Sequence, residues 1–176
     1  MAEQNIQNRE RGTSLIEMLI YAGILIIVMA VVVSTLLALS RSYRTLSAAQ
    51  RVESAAESSL DRILREARAG ESIDTAQSAL ATSPGQLTLN TTDEDGAPTT
   101  IQFFLSGQAI HVNEGGTYIG PLTPTSTRVT NLVFRRIPTA HSEAVKIEMT
   151  IESGEGPSYR SKIFYGTAVL RRSYTE

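Results

Sequence analysis

The amino-acid sequence contains no cysteine, so neither a disulfide framework nor a thiolate metal site can form. It has two histidines, His111 and His141, whose strand and loop contexts favour ordinary surface or edge positions over catalytic ones. It lacks a glycine-rich phosphate loop, a G-x-S-x-G turn and an H-E-x-x-H motif. The net charge of −2 and the lack of a basic tract argue against a nucleic-acid partner. We therefore expect a protein that is not an enzyme and that uses no cofactor or metal.

One carboxylate cluster, Asp93-Glu94-Asp95, qualifies this expectation, because calcium prefers grouped oxygen ligands. The cluster lacks the glutamate that completes a twelve-residue calcium loop. A solvated hairpin loop is the favoured interpretation, and calcium binding stays open as the alternative.

Charge is almost absent from one long segment near the N-terminus. Residues 18–39 are nearly all aliphatic, and Tyr21, Ser34 and Thr35 are the polar interruptions. About twenty such residues suffice to cross a hydrocarbon core of ~30 Å, so the segment predicts a membrane-spanning helix. It is longer than the apolar region of a secretory signal, about 7–15 residues, so a secreted enzyme cleaved near Ala38-Leu39-Ser40 is the less favoured alternative. Glu17 lies at the start of the segment, where an acid costs several kcal/mol unless it is paired or protonated. Tyr21 could anchor the helix at the membrane interface or pack within a helix bundle.

Glycine and proline are absent from residues 24–69, and Gly70 is a suitable helix stop. We therefore predict one continuous helix over residues 14–69. Its first half is apolar all round and suits lipid or other helices. Its second half carries a single apolar stripe, at steps of three and four residues, that suits packing on a domain. The stripe consists of Leu36, Leu39, Tyr43, Leu46, Ala49, Val52, Ala56, Leu60, Ile63 and Ala67.

Short strands and turn residues replace the helical pattern after Ile73. Strands are predicted at residues 86–91, 100–105, 108–112, 128–137, 143–152 and 159–171, with loops at Gly115-Gly116 and residues 121–124. The strand at 143–152 alternates between an apolar face and a polar face, as expected of an antiparallel strand with one wet side. Its apolar face consists of Val145, Ile147, Met149 and Ile151. We predict an α+β fold in which the striped half of the helix covers the apolar face of an antiparallel sheet.

The N-terminal residues Arg11-Gly12 and Thr13-Ser14-Leu15-Ile16-Glu17, followed by the apolar run, resemble a type III prepilin signal. Such signals belong to type IV pilins, minor pilins, and the pseudopilins of type II secretion and competence. The resemblance implies that prepilin peptidase cuts between Gly12 and Thr13 and that the new amine of Thr13 is methylated. It also implies that Glu17 faces the Thr13 amine of an adjacent subunit during filament assembly.

The resemblance further implies an organisation along the chain. Residues 1–12 would be the leader, 13–39 the transmembrane half of the helix, 40–70 its amphipathic half, and 71–176 an extracytoplasmic β-sheet domain. Lysine and arginine counts do not decide the orientation, whereas cytoplasmic cleavage requires the N-terminus inside. The protein would reside in the cytoplasmic (inner) membrane and then in a cell-surface or periplasmic filament. The implied partners are prepilin peptidase, other pilin or pseudopilin subunits, the inner-membrane assembly platform and membrane lipid.

Two absences favour a minor pilin or a pseudopilin over a major pilin: Ser34 replaces a frequent Pro, and a C-terminal disulfide loop is impossible. Thr13 stands where most mature chains of the family begin with Phe, and cleavage should survive this difference because Gly12 is the demanding position. Residues 83–87, 132–134 and 165–171 resemble J-type pseudopilins and W-type minor pilins. The alternative is a single-span, membrane-anchored extracytoplasmic binding domain that does not polymerise and keeps its residues 1–12.

Overall fold

A computed structural model describes residues 14–93, 95–138 and 142–171. Gly12, Thr13, Glu94 and His141 lie outside the described residues, so the predictions made for them are not addressed by the structure. The described elements, in chain order, are α1 (Leu15–Ala69), β1 (Ser72–Ile73), β2 (Gln86–Thr92), β3 (Pro98–Ser106), β4 (Ala109–Glu114), β5 (Thr117–Pro121), β6 (Arg128–Pro138), β7 (Glu143–Ser153), a 3-10 turn (Gly156–Ser158) and β8 (Arg160–Val169). The predicted α+β layout, with a long N-terminal helix and a C-terminal antiparallel β-sheet domain, is confirmed.

Helix α1 begins and ends within one residue of the predicted bounds. At its start, the carbonyl of Ser14 accepts the backbone N–H of Glu17 at 2.9 Å. At its end, the N–H of Gly70 donates to the carbonyl of Glu66 at 2.8 Å, and the N–H of Glu71 then donates to the carbonyl of Asn90 in β2. The helix therefore ends where the backbone of the following residue, Glu71, bonds to β2.

The described chain forms two compact units, one up to Ser42 and the other from Tyr43 onward. In the first unit, α1 is long and apolar enough to cross a membrane, and the apolar segment has no buried residue. In the second unit, the later turns of α1 pack on the strands.

The strands form two antiparallel sheets, whereas the sequence predicted one. The first has the order β1-β2-β3-β4-β5 and the second has the order β6-β7-β8. The sheets separate at the connection after β5, which is held against β4. The N–H of Leu122 donates to the carbonyl of Ile110 at 2.7 Å, and the Thr123 hydroxyl accepts the N–H of Ile110 at 3.1 Å. These bonds direct the chain away from the free edge of β5, and β6 then starts a new sheet.

Gly85 links the two sheets through its own backbone. Its N–H donates to the carbonyl of Leu132 in β6 at 2.9 Å, and its carbonyl accepts the N–H of Leu105 in β3 at 3.3 Å. A Cβ atom at this position would lie 2.6 Å from the Leu132 oxygen, which is too close for any side chain. Glycine is therefore required here by the close approach of the two backbones.

Strands β1 and β5 were not predicted from the sequence. β1 is only two residues long, too short for any alternation to be visible. β5 contains Gly120 and Pro121, which are typical of loops, but it is an edge strand, where a missing backbone donor is tolerated. The remaining strands lie at the predicted places with small differences at their ends.

One buried cluster contains side chains of α1 and of both sheets. The predicted alternation of β7 is confirmed, since Val145, Ile147, Met149 and Ile151 are fully buried. In α1 the buried residues are mostly small, which lets the helix approach the strands closely. They are Ala48, Val52, Ala55, Ala56, Ser59, Ile63 and Ala67.

The apolar stripe of α1 is thus buried only in its later part. Val52, Ala56, Ile63 and Ala67 are buried as predicted, and Leu60 packs against the core. The prediction was wrong for the first four residues of the stripe, which are 60–72% exposed: Leu36, Leu39, Tyr43 and Leu46. In the second unit, the strands and loops begin to cover α1 at Ala48, beside the Gly154 turn, so Tyr43 and Leu46 lie before the covered region.

Candidate assembly site on the first turns of α1

Glu17 lies in the first turn of α1, three residues after Ser14. A carboxylate at this end of a helix is favoured by the partial positive charge of the unpaired backbone N–H groups. The spacing Ser-x-x-Glu is that of a capping box, but the box is not formed, because the Glu17 N–H donates to the backbone carbonyl of Ser14 and the Glu17 carboxylate accepts the Tyr21 hydroxyl. The local benefit of Glu17 at this position is therefore its charge at the helix start.

The carboxylate of Glu17 has a hydrogen-bond partner within its own helix. The hydroxyl of Tyr21 donates to Oε1 of Glu17 at 2.8 Å. Residues four apart in a helix lie one above the other, so the two side chains meet without distortion. Neither interpretation of Tyr21 from the sequence included this bond, although the i, i+4 spacing of a phenol and a carboxylate could have indicated it.

The second carboxylate oxygen of Glu17, Oε2, has no hydrogen-bond partner among the described residues. An ionised carboxylate can accept about four hydrogen bonds, so Glu17 keeps the capacity to bind a cation. The flanking side chains are exposed and apolar, including Leu15, Ile16 and Met18. No lysine or arginine occurs between Arg11 and Arg41. A cation that pairs with Glu17 must therefore come from another part of the chain or from another molecule.

His111 is engaged in an aromatic row on one face of the five-stranded sheet. Its Nδ1 lies 2.8 Å from the Tyr118 hydroxyl, and its ring stacks on Phe104 with the ring centroids 5.6 Å apart. The side chain is half-buried on the surface of β4, which lies between β3 and β5, so of the two expected positions, surface or edge, the edge is wrong. The three rings bridge β3, β4 and β5, which is a structural role.

Asp93 orders the loop between β2 and β3. Its Oδ1 accepts the backbone N–H of Asp95 at 3.0 Å and that of Ala97 at 2.8 Å. These bonds give Asp93 the turn-forming role that the hairpin interpretation predicts. Within the described ranges, no three His, Cys, Asp or Glu side chains gather closely enough to hold a metal ion.

Among the described residues, two ion pairs join α1 to the strands. Arg62 places Nη2 2.5 Å from Oε1 of Glu114 in β4, and Lys162 in β8 places Nζ 2.6 Å from Oε1 of Glu53. The first pair connects the helix to the five-stranded sheet and the second connects it to the three-stranded sheet. Both pairs are partly exposed to solvent, so they fix orientation more than they add stability.

Comparison with known proteins gives no relative, since no protein-family model, no curated protein and no solved structure matches this chain.

Proposed function

We propose that this chain is a structural subunit of a type IV pilus-like filament, as a minor pilin or a pseudopilin. The observation that carries the proposal is the division of α1. Its early turns hold one acid in an exposed apolar segment, whereas its later turns are built into a β-sheet domain. A subunit that is first held in a membrane and then in a filament needs this division, because one half must contact other molecules while the other holds the folded domain.

Assembly would depend on a charge pair that does not exist before processing. Cleavage between Gly12 and Thr13 creates a new N-terminal amine on Thr13, which prepilin peptidase then methylates. In the filament, this ammonium group would lie beside Glu17 of a neighbouring subunit. At ~4 Å, opposite charges attract by about 4 kcal/mol at an effective dielectric constant near 20, against about 1 kcal/mol in bulk water. A water-poor bundle of helices therefore makes the pair strong enough to fix subunit register.

The exposed apolar residues of α1 would supply the remaining contacts between subunits. Leu15, Ile16, Leu36 and Leu39 are each at least 60% exposed in the single chain. Moving these residues from lipid into a helix bundle gains no hydrophobic free energy, because lipid tails are as apolar as leucine side chains. Close packing between helices, together with the charge pair of Glu17, would therefore have to compensate for leaving lipid.

The proposed location is the cytoplasmic (inner) membrane, with the N-terminus in the cytoplasm and the β-sheet domain outside, followed by the filament. The proposed partners are the peptidase, other pilin or pseudopilin subunits, the inner-membrane assembly platform and surrounding lipid. No chemical reaction is assigned to the chain.

The test is mass spectrometry of the N-terminus of the protein purified from its native membrane. We expect a chain that begins at Thr13 and carries one methyl group on its amine. A chain that keeps residues 1–12 would contradict the proposal and favour a single-span, membrane-anchored binding domain that does not polymerise.

A further inference from the structure

We propose that Tyr21 is a positioning residue for Glu17, which holds one carboxylate oxygen and leaves the other for the amine of a neighbouring subunit. The inference rests on the proposed role of Glu17 in assembly and assigns a second side chain to that site. Its basis is the 2.8 Å bond from the Tyr21 hydroxyl to Oε1 of Glu17.

Tyr21 is the only side chain between Met18 and Val33 that can donate a hydrogen bond. In an apolar environment without water, the phenol hydroxyl and the carboxylate would each be costly if left unpaired. Their spacing of four residues satisfies both groups within a single helix. The membrane-held subunit therefore carries its acid with a partner already present, before any other subunit arrives.

The bond also restricts where the carboxylate points. A free glutamate side chain samples many rotamers, and a hydrogen bond to an ionised group restricts that freedom more strongly than a neutral one. With Oε1 held by Tyr21, Oε2 has a fixed direction and no partner among the described residues. An incoming ammonium group meets an oriented acceptor, so less ordering remains for the assembly step.

The experiment measures the ratio of filament-incorporated chain to processed, membrane-held chain in cells that contain the peptidase and the partner subunits. Tyr21→Phe removes the hydroxyl alone. We expect it to lower the ratio by about tenfold, which corresponds to ~1.4 kcal/mol, without lowering the amount of processed chain. Tyr165→Phe is the control, since Tyr165 lies in β8, away from the exposed part of α1, is 59% exposed and has a hydroxyl with no hydrogen bond to a described residue. It should leave the ratio unchanged.

Two further variants test whether Tyr21 acts through Glu17. If it does, Tyr21→Phe should have no added effect in a Glu17→Ala background, because the group that it positions is gone. Tyr21→Gln keeps a donor at the i, i+4 position and should restore part of the incorporation that Tyr21→Phe loses.

The outcomes separate this inference from the proposed function. Normal incorporation of Tyr21→Phe, with Glu17→Ala impaired, would overturn the positioning role and leave the role of Glu17 intact. Normal incorporation of Glu17→Ala would overturn the assembly site itself. A further decrease in the double variant, or a Tyr21→Phe defect confined to the amount of processed chain, would also overturn positioning, since it would indicate a purely structural role.

Discussion

Two residues of the same apolar stripe, Ile63 and Leu46, are expected to respond in opposite ways to substitution by alanine. Ile63 is fully buried in the cluster that joins α1 to both sheets, whereas Leu46 is 63% exposed. The sequence pattern treats them alike. The structure predicts that the first residue holds the folded domain and that the second is free to contact another subunit.

The magnitudes follow from burial. Truncating a fully buried isoleucine to alanine costs about 2–5 kcal/mol, from lost apolar burial and the cavity that remains. Alanine is the better helix former by a few tenths of a kcal/mol. Ile63→Ala should therefore lower the free energy of unfolding by about 1.5–4.5 kcal/mol. Leu46→Ala should change it by no more than about 0.5 kcal/mol, as is usual for an exposed position.

The assay is amide hydrogen exchange in β7 (Glu143–Ser153) of the full chain in detergent micelles, followed by mass spectrometry. Exchange there reports opening of the domain, because β7 is the central strand of its sheet. We expect much faster exchange for Ile63→Ala and wild-type exchange for Leu46→Ala, together with reduced filament incorporation for Leu46→Ala. Equal protection in the two variants would refute the division of the stripe into a covered part and a free part.

Three other predictions concern single positions. Replacing Gly12 by a bulky residue should preserve the full-length mass when the peptidase is co-expressed, and a shortened product would count against the assigned cleavage site. Gly85→Ala should lower the free energy of unfolding in urea by about 1–3 kcal/mol, because its Cβ would lie 2.6 Å from the Leu132 oxygen. Wild-type stability of this variant would contradict the close approach of the Gly85 and Leu132 backbones. Lys162→Ala should cost less than about 1 kcal/mol in the same measurement, since its ion pair with Glu53 is about half exposed, and a larger loss would show that the pair is stronger than a surface pair.

The fold was largely predictable because its main elements carry strong local patterns. The helix has no glycine or proline after Gly23 until Gly70, and β7 alternates strictly from Val145 to Ser153. The division into two sheets depends instead on bonds between distant residues, such as the Thr123 hydroxyl with the N–H of Ile110. A local pattern contains no information about which of two free strand edges a later strand will meet.

The candidate site was predictable in one part only. Glu17 stands out because an acid in an apolar segment needs a reason to be there. Its bond to Tyr21 was missed because tyrosine at a membrane boundary has an ordinary explanation as an interface anchor. The exposure of Leu46 was missed for a different reason, since a periodic stripe predicts that a face is covered but does not say by what.

The spacing of the exposed part of the stripe narrows what could cover it. Leu36, Leu39, Tyr43 and Leu46 recur at steps of three, four and three residues, which is the a/d spacing of a helix–helix seam. Lipid suits Tyr43 and Leu46 poorly, because they follow both the apolar segment and Arg41. The chain's own strands leave Tyr43 and Leu46 uncovered. A narrow seam of this kind fits a second helix. The proposed filament of packed α1 helices supplies such a helix, whereas a membrane-anchored domain that does not polymerise does not.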